Sequence, residues 1–220
     1  MRWPAIILTA FFFFTAVGVG CGSEGVAEMR KLPEPDTDGS IPVEQAKSAR
    51  RSVRSFTEEK LTDAQIGQLA WAAQGITSPR GLRTAPSAGA LYPLEIYLVT
   101  PEGVDHYVPR GHGVRRVLDD DVRAELAKAA LNQRCVAEAP LCVVIVAVYE
   151  RVTSRYGERG RMYVHMEAGH AAQNVFLQAV ALNLGGVAVG AFNEQAVHRI
   201  LQLPDGHVPV YILPIGHPRR

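Results

Sequence analysis

The run of nine residues from Leu141 to Tyr149 (LCVVIVAVY) limits the folds open to this chain more than any other segment. A strand with one solvated face alternates apolar and polar residues, and this run has no polar position before its final tyrosine. The pattern predicts a strand that is buried on both faces at the centre of a sheet. A second, shorter β-rich run at Leu94–Thr100 is predicted to be another strand.

Helical patterns surround these runs. Thr62-Asp63-Ala64-Gln65 has the form of a capping box and predicts an amphipathic helix that ends at Gly75. The segment Met162–Leu184 is apolar on nearly all sides, so we expect a helix inside the protein, packed against the sheet or a partner subunit. The remaining predicted elements are a hairpin over His106–Leu118, helices at Asp120–Asn132 and from Glu194, a turn at Gly185-Gly186 followed by a strand through Phe192, and a final strand Pro209–Ile215.

The first 42 residues are predicted to lie outside the folded domain. Residues 1–20 combine Arg2 with an uncharged apolar run and indicate a signal peptide, and the small residues before Cys21 resemble a bacterial lipoprotein signal whose cysteine receives lipid. An uncleaved anchor and ordinary signal cleavage are the alternatives. Residues 21–42 are polar and rich in Pro and Gly, which predicts a flexible tether, and residues 43–220 form one domain. We therefore expect an exported, membrane-anchored lipoprotein that faces the periplasm or the cell exterior.

Charge and cysteine content exclude several classes of function. The 220 residues include 23 Lys and Arg against 22 Asp and Glu, a net charge of +1, so no basic surplus favours nucleic acid. Three cysteines without paired short spacings indicate neither a disulfide scaffold nor a zinc site. We expect no metal and no nucleic-acid partner.

Four segments could carry chemistry, and each also has a purely structural explanation. Arg50-Arg51-Ser52-Val53-Arg54 could hold a phosphate or be a solvated helix end. The small residues of Pro86-Ser87-Ala88-Gly89 could approach a flat ligand or form a tight loop. Gly185 and Gly186 could do the same or cap a helix. The polar loop predicted at Arg155–Arg161 could be a lid or a solvated connection.

Together with Tyr156-Gly157-Glu158-Arg159, Glu167-Ala168-Gly169-His170 and Leu184-Gly185-Gly186, these motifs stand in the order found in the nitroreductase superfamily. The sequence most resembles the SagB/ThcOx dehydrogenase branch, over about residues 43–218. The resemblance implies an α+β fold with a mixed, mainly antiparallel sheet flanked by helices, and non-covalent FMN at a homodimer interface.

The resemblance also implies roles for individual residues. Arg50, Arg51, Ser52 and Arg54 would hold the FMN phosphate and ribityl chain. Pro86, Ser87, Ala88 and Gly89 would lie along the flavin ring, and Gly185 and Gly186 would press their backbone against its reactive edge. Members of the branch place a Lys-Tyr pair on the substrate side, where this chain has Arg155 and Tyr156. Arginine is a poor base, so Tyr156 would act alone or the reaction differs.

The function that the sequence indicates is an FMN-dependent oxidoreductase that moves a hydride between the flavin and a small-molecule or peptide substrate. A nitro or quinone reductase of the same fold is the first alternative. A flavin-binding lipoprotein that has lost turnover is the second. An exported location favours oxidation of a substrate, since NAD(P)H is not expected outside the cytoplasm.

Overall fold

A computed structural model describes residues 28–219. Its seven strands are β1 (Arg30–Lys31), β2 (Leu94–Thr100), β3 (Gly103–Val108), β4 (Gly113–Leu118), β5 (Leu141–Val148), β6 (Gly185–Gly186) and β7 (His207–Gly216). They form one sheet in the order β1-β4-β3-β2-β5-β7-β6, and each of these neighbouring pairs is antiparallel. The predicted α+β class with a mainly antiparallel sheet flanked by helices is confirmed.

Strand β5 occupies the interior of the sheet, between β2 and β7. Successive side chains of a strand point to opposite faces, so alternate residues of β5 enter two separate cores. Leu141, Val143 and Ile145 belong to one core, and Cys142 and Val144 belong to the other. The absence of polar residues in this run follows from its burial between the two cores.

Seven helices of the described chain cover the two faces of the sheet. They are α1 (Val43–Ala49), α2 (Asp63–Gln74), α3 (Arg123–Ala129), α4 (Arg134–Glu138), α5 (Glu150–Tyr156), α6 (Arg159–Ala181) and α7 (Glu194–Ile200). Helices α2 and α6 pack into the core that contains Leu141. Helices α3, α4 and α7 pack into the core that contains Cys142. Helix α2 begins with the predicted capping box, in which the Thr62 side chain accepts from the Gln65 backbone N–H and the Gln65 side chain accepts from the Thr62 N–H.

The long helix α6 is buried along one stripe only. Val164, Ala168, Ala171 and Val175 point into the core, whereas the neighbouring Met166 is 50% exposed. The expectation that this segment lies wholly inside the protein is therefore not met within a single chain. Its other stripe is left open to solvent or to another molecule.

The start of the folded domain differs from the prediction. Strand β1 pairs with β4, and Leu32 is buried, although both lie within the tether predicted over residues 21–42. The imidazole of His112 bonds the Pro33 carbonyl at 2.9 Å, and the Asp36 N–H donates to Gln68 Oε1 at 2.8 Å. Residues 30–36 are therefore part of the domain. These contacts come from residues far along the chain, which the local composition does not reveal.

The predicted signal peptide and Cys21 lie outside the described residues. Within residues 28–219 no helix has the length and apolar character needed to cross a membrane.

Candidate functional site

Three backbone segments meet beside the C-terminal end of α6 and form a cleft. Ser52 bridges Gly186 in parallel, and the Val53 N–H donates to the Gly186 carbonyl at 2.9 Å. Gly185 pairs with Gly216 at the end of β7, and the chain beyond β7 returns to pair Pro218 with Phe56. We call the resulting space, of about 460 Å³, the Arg50 cleft. Its lining includes Arg50, Arg51, Thr57, Glu59, Phe176, Gly185, Gly186 and His217.

The two glycines of this cleft are required by the protein itself. A Cβ at Gly185 would lie 2.5 Å from the Val53 side chain, and one at Gly186 would lie 2.7 Å from the Pro214 carbonyl. Both glycines therefore allow β6 to lie close to its neighbours. The helix-cap alternative does not explain them, because α6 has already ended at Ala181.

The arginines near the cleft are not equivalent. The Arg51 guanidinium donates to the carbonyls of Ser48 and Arg50, at 2.9 and 2.8 Å, and so satisfies acceptors at the end of α1. The Arg50 and Arg54 guanidiniums make no hydrogen bond or ion pair with any residue in the range 28–219. Ser52 and Arg54 are exposed and lie outside the cleft lining.

His217 lines the cleft and was not predicted from the sequence. Its Nε2 atom is buried and has no hydrogen-bond partner within residues 28–219. The nearest carboxylate oxygen, Glu59 Oε1, is 3.5 Å away and belongs to a side chain that is 67% exposed. The only signal in the sequence is a histidine placed directly after the last strand.

These features fit a phosphorylated flavin. A cleft of this volume lies within the range of ligand sites. The free Arg50 guanidinium and the unpartnered His217 nitrogen are donors suited to an anion. By contrast, residues 28–219 contain no group of three or more His, Cys, Asp and Glu that could hold a metal ion.

A second group of predicted residues comprises Pro86–Gly89, Arg155 and Tyr156, and we call it the Tyr156 face. Gly89 has φ +61°, within a short 3-10 helix at Ala88–Ala90. A Cβ at Gly89 would lie 2.8 Å from the Tyr156 hydroxyl and 3.0 Å from Arg155 Nη1. The glycine therefore serves both the turn and the close approach of the two side chains. The Tyr156 ring also meets Tyr163 edge to face, with centroids 5.4 Å apart.

The loop predicted at Arg155–Arg161 is instead a helix, a turn and a helix. Arg155 and Tyr156 form the last turn of α5, and α6 begins at Arg159. Gly157, with φ +57°, ends α5. The polar residues of this segment lie on the exposed faces of two helices, so the sequence pattern indicates a loop. Tyr156 is consequently fixed on a helix rather than carried by a lid.

A buried polar network supports the Tyr156 face from below. Glu167 on α6 is 2% exposed, and its carboxyl lies near the Ser87 hydroxyl and accepts from Gln74 Nε2 at 3.4 Å. Gln74 in turn accepts from the Arg83 guanidinium at 2.8 Å. Burial raises the pKa of Glu167 to about 7, and the hydrogen bonds from Ser87 and Gln74 and the charge of Arg83 only partly oppose it. Burial likewise lowers the pKa of Arg83.

The residues predicted to hold one flavin fall into two groups within one chain. Phe176 lies at the Arg50 cleft and Glu167 lies under the Tyr156 face. These two positions are nine residues apart on α6, or about 13 Å along the helix axis at 1.5 Å per residue. Arg50, Arg51, Gly185 and Gly186 are brought together, whereas Pro86–Gly89 lie with Arg155 and Tyr156.

Comparisons with known proteins agree with this architecture. A candidate nitroreductase of Methanocaldococcus jannaschii is 45% identical over 197 residues, covering 87% of this chain and 98% of that protein. The NADPH-flavin oxidoreductase of Vibrio harveyi is 26% identical over 178 residues, covering 77% of this chain but only 63% of that protein. The crystal structure of a candidate nitroreductase from Ralstonia eutropha superimposes with a TM-score of 0.79 at 26% identity, covering 90% of this chain and 93% of that one.

The sequence model of the nitroreductase family matches residues 48–217, a range that holds the Arg50 cleft and the Tyr156 face together. The chain therefore belongs to the nitroreductase family of flavin-dependent oxidoreductases.

Proposed function

We propose that the chain is an FMN-dependent dehydrogenase of the SagB/ThcOx type, which takes a hydride from a small-molecule or peptide substrate. The observation that carries the proposal is the Arg50 cleft, with its free guanidinium and its buried, unpartnered histidine nitrogen. Bound flavin supplies the hydride acceptor at its N5 atom. The protein residues bind the cofactor, position the substrate and handle the proton.

The phosphate would be held by Arg50 in the cleft lining. Ser52 and Arg54 are exposed and would approach the phosphate and ribityl chain from the rim, since neither lines the cleft. Arg51 would act indirectly, because its guanidinium already binds carbonyls at the end of α1. Gly185 and Gly186 would present their backbone to the cofactor from the opposite wall of the cleft.

A homodimer would join the two groups into one site. Within one chain the Arg50 cleft and the Pro86–Gly89 segment are separated along α6, and a second copy can bring its own Pro86–Gly89 segment over the cleft. The exposed stripe of α6 supports this arrangement, since Met166 is 50% exposed there and the adjacent groove is lined by Trp71 and Leu177. Apolar surface of this kind favours burial in an interface.

Tyr156 is the proposed proton-handling group on the substrate side. Its hydroxyl is held against the Gly89 backbone, and the Arg155 guanidinium lies 5.4 Å from the centre of its ring. Arg155 itself stays charged and cannot act as the base.

The first experiment identifies the cofactor and the direction of electron flow. The purified full chain should show a flavin absorbance spectrum, and mass spectrometry of the released cofactor should give FMN. Anaerobic reduction of the bound flavin by candidate substrates, but not by NADPH, would support the dehydrogenase. A colourless protein that binds no added flavin would refute the proposal, and flavin that no donor reduces would favour the non-catalytic lipoprotein.

A nitro or quinone reductase is the second candidate, and one observation favours it. The relative from Vibrio harveyi is named as an NADPH-flavin oxidoreductase. Rapid anaerobic reduction of the flavin by NADPH, followed by reoxidation with a quinone or nitroaromatic compound, would establish this function instead.

Mixed dimers test the shared site directly. An Arg50→Ala/Arg54→Ala subunit lacks the phosphate donors, and a Ser87→Tyr/Gly89→Val subunit lacks the small ring-facing segment. Neither homodimer should bind FMN, but a mixed dimer should regain one intact site and bind one FMN. A mixture that binds none, or a monomer that binds FMN fully, would show that the site does not span two subunits.

Replacement of Tyr156 separates binding from chemistry. Tyr156→Phe should leave FMN bound and slow substrate oxidation by about 100-fold or more, as expected for loss of a proton-handling group. Tyr163→Phe is the matched control, since Tyr163 also lies beneath an arginine and contacts the Tyr156 ring. Equal effects of the two variants would assign Tyr156 a packing role only.

We further propose that the chain is exported and lipidated at Cys21. The support is the uncharged apolar run and the small residues before this cysteine. Cys21→Ser should block incorporation of radiolabelled fatty acid and leave the protein in the soluble fraction or as an uncleaved precursor. Equal labelling of the variant and the parent would contradict lipidation.

A further inference from the structure

We propose that His217 donates its Nε2–H to the phosphate of the flavin and makes the Arg50 cleft select phosphorylated flavin over riboflavin. The inference rests on the proposed function and adds a specificity-determining residue to it. A buried donor without a partner is costly and uncommon in a folded protein. His217 is such a case in the part of the chain that the structure describes, and it faces the cleft.

The backbone around His217 is held in place by hydrogen bonds and close packing. The His217 carbonyl accepts from the Thr57 N–H at 2.9 Å, and Pro218 pairs with Phe56. A Cβ at the preceding Gly216 would lie 2.7 Å from Pro140 and 3.0 Å from Phe56, so the chain is tightly packed there. The His217 backbone is therefore fixed in the cleft wall, and its side chain lines the cleft.

Glu59 is the neighbour that could satisfy the ring, but it is a poor partner. A separation of 3.5 Å is longer than a good hydrogen bond, and a side chain that is 67% exposed is readily exchanged for water. Its carboxylate does favour the tautomer that carries hydrogen on Nε2. It also repels an incoming phosphate, although solvent screens that repulsion at an exposed side chain. Nε2 is therefore a donor without a good acceptor in the protein, and an anion in the cleft would supply one.

The charges around the cleft point to a phosphate as that anion. Arg50 and Arg51 lie in the same lining as His217, and Arg50 has no partner within residues 28–219. Riboflavin has the same ring and ribityl chain as FMN but no phosphate. A donor aimed at the phosphate therefore changes FMN affinity and leaves riboflavin affinity unchanged.

The test is a fluorescence-quenching titration of FMN and of riboflavin into the flavin-free full chain. His217→Ala should weaken FMN binding by about ten- to hundred-fold, the usual effect of a hydrogen bond to a charged group. Riboflavin binding should change less than about twofold. His217→Gln, which keeps an N–H donor at a similar distance, should recover part of the FMN affinity, and Glu59→Gln should not weaken it.

Other outcomes would overturn the inference. An equal loss for both flavins in His217→Ala would show a structural role, and thermal unfolding of each variant monitors the fold independently. An unchanged FMN affinity in His217→Ala would show that the phosphate lies elsewhere. If the parent binds neither flavin, the proposed function fails and the inference fails with it.

Discussion

The Arg50 cleft and the Tyr156 face are built in opposite ways. The cleft is formed mainly by backbone, from three chain segments that pair with one another, and it leaves Arg50 and the His217 nitrogen without partners among the described residues. The Tyr156 face is formed by side chains that satisfy each other, from Ser87 through Glu167 and Gln74 to Arg83.

This difference indicates which region needs a ligand. A buried nitrogen without a partner, such as that of His217, costs free energy, so binding of the proposed anion would stabilise the cleft. The polar network under the Tyr156 face is already formed within one chain. Under the proposed function, the cleft would bind the cofactor and the Tyr156 face would keep its shape against it.

The largest expected effect is on flavin affinity at the cleft. Arg50→Ala/Arg54→Ala should weaken FMN binding by about two to four powers of ten, because each charge-assisted hydrogen bond contributes about 1.5 to 3 kcal/mol. Fluorescence quenching measures the affinity. Arg51→Ala is the matched control and should cost less than about tenfold, since its guanidinium already binds Ser48 and Arg50 carbonyls. An equal loss of FMN affinity in the Arg50→Ala/Arg54→Ala variant and in Arg51→Ala would show that free and hydrogen-bonded arginines contribute alike.

The next effect concerns pH at the Tyr156 face. The pKa of Glu167 is raised by burial from 4.5 to about 7, so the folded state favours the protonated carboxyl. The stability contributed by this proton is complete below about pH 4.5 and is lost as the pH rises through 7, a difference of about 3 kcal/mol at 1.36 kcal/mol per pKa unit. Glu167→Gln should remove this decline.

Urea unfolding between pH 5 and 8.5 measures the effect for the parent, Glu167→Gln and an exposed control, Glu125→Gln. The parent and the control should lose stability together as the pH rises, while Glu167→Gln should lose less. Parallel curves for all three proteins would show that Glu167 ionises normally, and the contrast between the two regions would be weaker.

Substitution of Gly186 tests whether the absence of a side chain there is needed for backbone packing or to leave space for the flavin ring. Gly186→Ala should destabilise the fold by about 1 to 3 kcal/mol, because the new Cβ would meet the Pro214 carbonyl at 2.7 Å. Gly190→Ala is the matched control, since its Cβ meets only Tyr211, at 3.7 Å. Chemical denaturation measures both. A fully stable Gly186→Ala that fails to bind flavin would show that the missing side chain makes room for the ring.

Ser87→Ala should have the smallest effect, about 1 kcal/mol of stability. The Ser87 oxygen accepts from the Tyr92 N–H at 2.9 Å, and its hydroxyl lies near Glu167. Ser154→Ala, at an exposed position on α5, should cost less. If Ser87→Ala keeps its stability but loses flavin affinity, this hydroxyl serves the ligand rather than the network.

The sequence predicts the parts of this fold that depend on local pattern. The β5 run, the β2 run and the capping box at Thr62 each carry their signal within a few residues, and the structure has all three elements. Helix α5 was missed because its exposed charges obscure its buried Val152. The pairing of β1 with β4 was missed because it joins residues about 80 positions apart, Arg30 and Val114.

The same limit applies to the candidate site. The motif residues are recognisable from their types and order, but sequence does not show that the residues predicted to bind the cofactor fall into two groups. It also does not show that Arg51 is engaged by α1 or that His217 lines the same cleft as Arg50. These facts depend on which distant segments pair, and no local pattern encodes them.

The pairing of β1 with β4 has a consequence for any membrane attachment. If Cys21 carries lipid as proposed, only residues 22–29 separate the anchor from the sheet, since Arg30 is already paired. Eight extended residues reach about 28 Å, compared with about 70 Å for the 21 residues of a tether that ran to residue 42. The lipid would then hold the domain close to the bilayer, with the β1 edge towards the lipid. This position would favour substrates or electron acceptors that diffuse in the membrane plane.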